Sequence, residues 1–182
     1  MKKISETLLY ESDWLQLLKS NWQHENGEVY GWDFVRRKFS RSAVVIIAKL
    51  MPSNKYVITK EYRAAVGHSV IGFPAGLVES ENIENDAIRE LKEETGYVAD
   101  KVVKVSPILD MNPAMTDSTF QVVTIEVDET KKENITPKQE LELTEDIEVF
   151  LLKKEEISEF LKEQQKLGVR VGPAVWYYFT DF

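Results

Sequence analysis

A chain of 182 residues with 43% apolar and 30% charged side chains has the size and balance of one domain with a substantial core. Its net charge of -8 excludes nucleic acid as the main partner, because phosphate backbones are met by basic stripes and the sequence offers none. With no cysteine, a disulfide framework and a thiolate zinc site are excluded as well.

An acidic protein that handles phosphates needs metal cations as intermediaries. After Met1-Lys2-Lys3 the polar residues Ser5, Glu6, Glu11 and Asp13 interrupt any signal-like apolar stretch. From Leu15 to Phe39, two segments rich in aromatic and β-branched residues flank Glu25-Asn26-Gly27, and Asn-Gly predicts a β-hairpin. The longest apolar run, Ala43 to Ala48, is of strand length and far too short for a membrane span. A cytoplasmic protein without a membrane partner is expected. Strands are predicted over Ser42 to Met51 and Tyr56 to Glu61, joined by the turn cluster Pro52-Ser53-Asn54-Lys55.

Gly67 to Gly76 reads as a functional loop, broken by Gly67, Gly72, Pro74 and Gly76. The pattern then turns helical between Asn82, a fitting N-cap, and Thr95, with Gly96 suited to the left-handed C-terminal position. Val102 to Leu109, Phe120 to Val127 and Ile147 to Leu152 read as strands, and the polar stretch Glu129 to Glu145 as a long surface loop. Two helices are expected in the tail, Lys154 to Leu167 and Pro173 to Phe179, broken at Gly168.

In the central helix Glu90, Glu93 and Glu94 stand at i, i+3 and i+4 on one face, opposite Ala87 and Leu91. Like charges at this spacing cost about 0.2 to 0.5 kcal/mol each, and acids in a last turn face the negative end of the helix dipole. Arg89 is spaced to pair with Glu93, whereas Glu90 and Glu94 have no evident partner within the helix. A divalent cation would supply one, since hard cations such as Mg²⁺ take one or two carboxylates and fill the rest with water and phosphate oxygens. An ordinary solvated acidic face is the competing reading.

The run Ala75-Gly76-Leu77-Val78-Glu79-Ser80-Glu81, then seven residues, then Arg89-Glu90-Leu91-Lys92-Glu93-Glu94-Thr95-Gly96-Tyr97 resembles the signature of the Nudix hydrolases. One departure stands out: four residues separate Gly76 from Glu81, where the family usually has five. The resemblance implies an α+β fold, an α/β/α sandwich with a mixed central sheet, with residues 1-39 as a β-rich extension and 40-182 as the catalytic domain. It also implies Mg²⁺, with Mn²⁺ as an alternative, held by Glu90, Glu94 and the Ala75 carbonyl, with Glu93 completing the cluster. Glu81 would be a secondary ligand or support the loop, and Arg89 would orient a glutamate rather than touch substrate. A general base is expected from a late loop, with Glu145 aligning best, Glu142 next, and Glu93 if the base lies on the helix.

The likeness narrows to the ADP-ribose and ADP-sugar pyrophosphatases of this family. Tyr62-Arg63, Gly67 and Phe73-Pro74-Ala75-Gly76-Leu77 resemble their segment before the signature, and Asp110-Met111-Asn112-Pro113-Ala114-Met115-Thr116-Asp117-Ser118 their loop after it. Ala114 replaces a usual glycine in that loop. Trp14 and Gly31-Trp32-Asp33-Phe34-Val35-Arg36-Arg37 resemble the part that clamps adenine, which nominates Trp32 and Arg37, with Trp14 behind them. Tryptophans in hairpins more often simply pack. Arg63 suits a diphosphate, because a guanidinium offers paired hydrogen bonds. His24 is expected at the surface, with His68 at most a loop contact. The implied activity is hydrolysis of ADP-ribose or a related nucleoside diphosphate sugar by a homodimer. Alternatives are another sugar nucleotide such as GDP-mannose or UDP-glucose, or a sensing module that binds nucleotide without turnover.

Overall fold

The computed structural model describes residues 1–40 and 42–180. Three antiparallel strands, β1 (Lys2–Glu11), β2 (Leu15–Gln23) and β3 (Val29–Arg37), form a separate N-terminal sheet. The turn between β2 and β3 lies at Asn26-Gly27, where Gly27 has φ +90, so the hairpin expectation holds. Strand β1 was not anticipated. All ten of its residues are exposed, so no buried face printed an alternation into Lys2–Glu11 that a sequence could reveal.

The second sheet is mixed, as expected of an α+β fold. Strand β4 (Ser42–Met51) runs parallel to β10 (Thr119–Asp128) and antiparallel to β5 (Tyr56–Arg63) and to the short β7 (Ala75–Leu77). β5 pairs with β6 (His68–Gly72) and with β11 (Ile147–Leu152), while β10 pairs with β8 (Lys101–Val105) and β9 (Leu109–Asp110). A two-residue strand, β12 (Arg170–Val171), continues the sheet beside β6.

Strand β4 has apolar residues on both faces because helices cover both. Val44, Ile46, Ala48 and Leu50 join Ala87 and Leu91 of helix α1 (Ile83–Thr95) in one core, with Val123, Ile125 and Val127 of β10. Ile47 faces the other way, into a second core with Ile58, Ile71, Phe73, and Ile157 and Leu161 of α3 (Lys154–Lys166). Val175 and Phe179 of α4 (Pro173–Phe179) close that core. Helix, sheet, helix is therefore the order of layers.

The structure corrects three expectations. The segment predicted as a loop between Gly67 and Gly76 contains strands β6 and β7, because Val70, Ile71 and Ala75 find ladder partners that its glycines had obscured. The strand predicted from Val102 to Leu109 breaks at Ser106-Pro107, where proline lacks the N–H a ladder needs. In the polar stretch a short helix, α2 (Lys132–Ile135), is fixed by the buried Asn134, whose side chain accepts from Val98 N–H and donates to the carbonyls of Val98 and Asp128.

Helix α1 forms as predicted. Asn82 accepts from the N–H groups of Glu84 and Asn85, and Gly96, at φ +77, ends the helix with its N–H on the Lys92 carbonyl. A side chain at Gly96 would also meet the backbone of Lys138 at 2.3 Å, so this glycine admits the following loop against the helix end.

Candidate active site

The site begins with strand β7, which lays Ala75 against Val45 of β4 and under the last two turns of α1. The Ala75 N–H donates to a Glu94 carboxylate oxygen at 3.0 Å. Beside it Glu90 rests on Gly76 so closely that an added Cβ there would lie 1.9 Å from its carboxyl carbon. Only 8% of Glu90 and 3% of Glu94 is exposed. The two acids thus flank the buried stripe of Ala87 and Leu91, where the sequence reading had placed them opposite it.

Arg89 gathers the cluster. Its guanidinium donates to Glu93 at 2.7 Å, to Glu90 at 2.8 Å and to the Leu77 carbonyl at 3.1 Å. Glu90 therefore does have a partner on its own helix, one residue away, in contrast to the sequence expectation. Asp86, which sequence reasoning passed over, holds the shortened loop. It accepts from Glu79 N–H at 3.3 Å, Ser80 N–H at 3.1 Å and the Ser80 hydroxyl at 2.8 Å. Burial works against its ionisation, but these hydrogen bonds prevail and hold its pKa below the usual value. Glu81 is exposed and lies just ahead of the N-cap Asn82.

A second segment reaches the acids from the far side. Gln139 donates to the carbonyls of Glu94 at 2.7 Å and Ile147 at 3.0 Å, and Glu140 N–H donates to the Glu93 carbonyl at 2.8 Å. These bonds satisfy carbonyls that the end of α1 leaves open. They also suspend the loop carrying Glu142 and Glu145 over the cluster, and the Glu145 carboxylate accepts from Glu142 N–H at 2.9 Å. The charge of Glu145 is felt by Glu61, Glu90 and Glu94 alike. Glu61 on β5 is another acid that sequence reasoning missed. Its burial raises its pKa while Arg63, paired with it at 2.5 Å, opposes the rise.

Burial pushes the Glu90 carboxyl up to about 7 against the attraction of Arg89. It pushes Glu94 up to about 8, opposed by the Ala75 N–H and reinforced by Glu61, Glu90 and Glu145. Among the described residues, no three His, Cys, Asp or Glu side chains stand arranged to hold a metal ion. The donor chemistry nevertheless fits a hard divalent cation. Two adjacent buried carboxylates are under-neutralised by one arginine, and water and phosphate oxygens can complete the coordination.

The raised pKa values have a consequence for stability. Folded Glu90 and Glu94 bind protons more tightly than in the unfolded chain, so their contribution is full below about pH 4.5 and is lost as pH rises through 7 and 8. In chelator, the melting temperature is expected to fall by several degrees between pH 5.5 and 8.5, and Mg²⁺ to restore more of it at pH 8.5. A chelated protein that melts higher at the alkaline end would contradict the burial of ionised acids.

The remaining candidates lie around the loop from Asp110 to Ser118. The Trp32 indole N–H donates to the Ala114 carbonyl at 3.0 Å, and Trp32 lines a cavity of about 410 Å³ with Trp22, Phe34 and Arg36. Arg37 lines another, of about 480 Å³, with Trp14, Met111 and Met115. Five positions apart on β3, Trp32 and Arg37 point to opposite faces of the N-terminal sheet, so one chain does not bring them together. Arg36 is the arginine on the Trp32 face, and it ties β1 to the loop through Glu6 and Asp117, each at 2.6 Å. Strand parity alone would have singled it out. His24 is exposed in the hairpin turn, and His68 lies in β6 opposite Arg63. Arg63 and Glu61 line a cleft of about 430 Å³ that reaches Ala75 beneath the acids.

Comparison with known proteins bears on this geometry. A family model described as NUDIX domain matches residues 40–168. An ADP-ribose pyrophosphatase of Saccharomyces cerevisiae is 34% identical over 163 residues, which span 85% of this chain and 69% of the yeast protein. An ADP-sugar pyrophosphatase of Mus musculus is 32% identical over 161 residues, spanning 84% of this chain and 73% of the mouse protein. A crystal structure of an ADP compounds hydrolase shares the fold at a TM-score of 0.67 and 18% identity, over 92% of this chain and 88% of that one. Hydrolases of this family generally use a divalent metal. The chain belongs to the Nudix hydrolase family.

Proposed function

We propose that the protein hydrolyses the diphosphate link of ADP-ribose, or of a related nucleoside diphosphate sugar, to a nucleoside monophosphate and a sugar phosphate, with Mg²⁺ as its cation and Mn²⁺ as a substitute. The observation that carries this reading is the pair of buried carboxylates, Glu90 and Glu94, packed against strand β7, whose Ala75 holds Glu94 through its N–H and lines a cleft together with Arg63. The relatives named for ADP-ribose and ADP-sugar pyrophosphatase activity direct the choice of substrate.

A diphosphate resists attack because its oxygens repel an incoming nucleophile, so catalysis rests on neutralising charge and placing a water in line. A divalent cation supplies charge neutralisation and a more acidic water when bound. Glu90, Glu94 and the Ala75 carbonyl are the groups that would hold it, with Glu93 at the margin. Arg89 keeps Glu90 and Glu93 in place from behind and does not face substrate. Arg63 takes the diphosphate oxygens with paired N–H donors. Glu145, suspended over the acids, accepts the proton of the attacking water; Glu142 tethers it.

The base is assigned to Trp32, Arg37 and Trp14. Because Trp32 and Arg37 face opposite ways in one chain, the base site is completed in a homodimer, with 1-39 as the shared extension and 40-182 as the catalytic domain. The exposed Ile4, Leu8, Leu9 and Tyr10 of β1 support such pairing. The cytoplasm fits a chain without cysteine, and no helix among the described residues is long and apolar enough to cross a membrane.

The test is Mg²⁺-dependent release of nucleoside monophosphate from ADP-ribose, GDP-mannose and UDP-glucose. ADP-ribose is expected to lead in kcat/KM by about tenfold or more. Equal rates for all three would overturn the base assignment. Micromolar binding of each without turnover would overturn hydrolysis in favour of a sensing role.

A further inference from the structure

Helix α4 lies beyond residue 168, where the NUDIX match ends, yet it walls the cleft that opens beside Ala75. Its position is fixed from below. Val175 and Phe179 are buried in the core against Ile71 and Phe73, and Gly172 N–H donates to the Ile71 carbonyl at 2.7 Å. A Cβ at Gly172 would come within 3.0 Å of that same carbonyl, so the close approach of this segment to β6 depends on glycine. Tyr177 sits on the outward side of the anchored helix, 70% exposed, and lines the cleft with Met111 and Phe120.

The cleft's contents follow from its neighbours. Glu61, Arg63 and Ala75 all line it, and the Ala75 N–H holds Glu94, so a diphosphate held between the acids and Arg63 has one end directed into it. Met111 lines both this cleft and the cavity of Trp14 and Arg37, so the Asp110–Ser118 loop divides the base side from the α4 side. With the base on the tryptophan side, the group that enters under α4 is the one at the other end of the diphosphate. The lining is mostly apolar and aromatic, with polar side-chain groups supplied by Thr59, Glu61, Arg63 and the Tyr177 hydroxyl. Such a lining suits a sugar ring, whose C–H face packs on an aromatic ring while its hydroxyls reach the polar groups.

We propose that this cleft binds the terminal sugar and that Tyr177 is the ring it packs against, so that sugar selectivity is set by a helix beyond the residues that the NUDIX model matches. The inference rests on the diphosphatase reading above. Tyr177→Ala leaves the core side of α4 intact, because the side chain is largely exposed. In the full-length protein this change is expected to raise KM for ADP-ribose about five- to tenfold, with a smaller effect on kcat, and to alter the preference between ADP-ribose and ADP-glucose. Inhibition by AMP, which lacks the terminal sugar, should keep its strength. Tyr177→Phe, which keeps the ring, should recover most of the loss. If wild-type turnover is normal and Tyr177→Ala leaves KM unchanged, or weakens AMP as much as ADP-ribose, the sugar assignment fails while the diphosphatase reading stands. No wild-type turnover of any ADP-sugar would sink both.

Discussion

Glu94→Gln is expected to lower kcat by about a thousandfold while the metal-free protein becomes more stable. The loss follows from exchanging a buried anionic oxygen for a neutral amide in a site that must hold a divalent cation against a diphosphate. The gain follows from burial. Burial has raised the Glu94 pKa to about 8, so at neutral pH the metal-free protein folds only by taking up a proton that the unfolded chain does not hold, and glutamine removes that cost. Glutamine can still accept from the Ala75 N–H, so the local backbone has no reason to move. Steady-state kinetics at saturating Mg²⁺, paired with melting curves in chelator, read both effects. A variant that keeps its rate, or one that loses rate and stability together, would mean that Glu94 is a structural acid.

Gly76→Ala should produce a comparable loss by a different route. Glycine is needed here because the backbone of β7 passes against the Glu90 carboxylate, and a methyl group would lie 1.9 Å from the carboxyl carbon. The backbone can accept alanine, since φ at Gly76 is not in the left-handed region. Glu90 must therefore swing away, breaking its 2.8 Å contact with Arg89 and leaving the position beside Glu94. The expected result is a loss of about a hundredfold or more in kcat/KM, with a rise in the Mg²⁺ concentration needed for half-maximal rate and only a modest change in melting temperature. An unchanged Mg²⁺ requirement would show that Glu90 acts elsewhere than at the cation.

What the sequence made legible follows from which interactions are local. Helix α1 was readable end to end because Asn82, the apolar stripe and Gly96 are local signals that tertiary structure does not override. Its acids were readable as a group, but their burial was not. Glu90 and Glu94 are covered by β7 and by the loop after Lys138, partners 14 or more residues distant in sequence. Strand β7 was itself hidden behind Pro74 and Gly76, residues that argue for a loop until β4 is known to lie beside them. Asp86 escaped notice because its partners, Glu79 and Ser80, precede the helix and look like ordinary loop residues. The division between Trp32 and Arg37 was available from strand parity; the break at Gly168 and the helix after it were legible too, but not that α4 would pack on β6 and bring Tyr177 to the cleft, since that depends on partners distant in sequence.

The central claim is that the acids at the end of α1 bind a divalent cation that the substrate's phosphates then share. Mn²⁺ binding followed by electron paramagnetic resonance, with and without a non-hydrolysable ADP-ribose analogue, measures this directly. The account predicts that the native protein takes up Mn²⁺, that the analogue tightens its hold, and that Glu90→Gln with Glu94→Gln abolishes both effects. Undiminished Mn²⁺ uptake by the doubly substituted protein would contradict it.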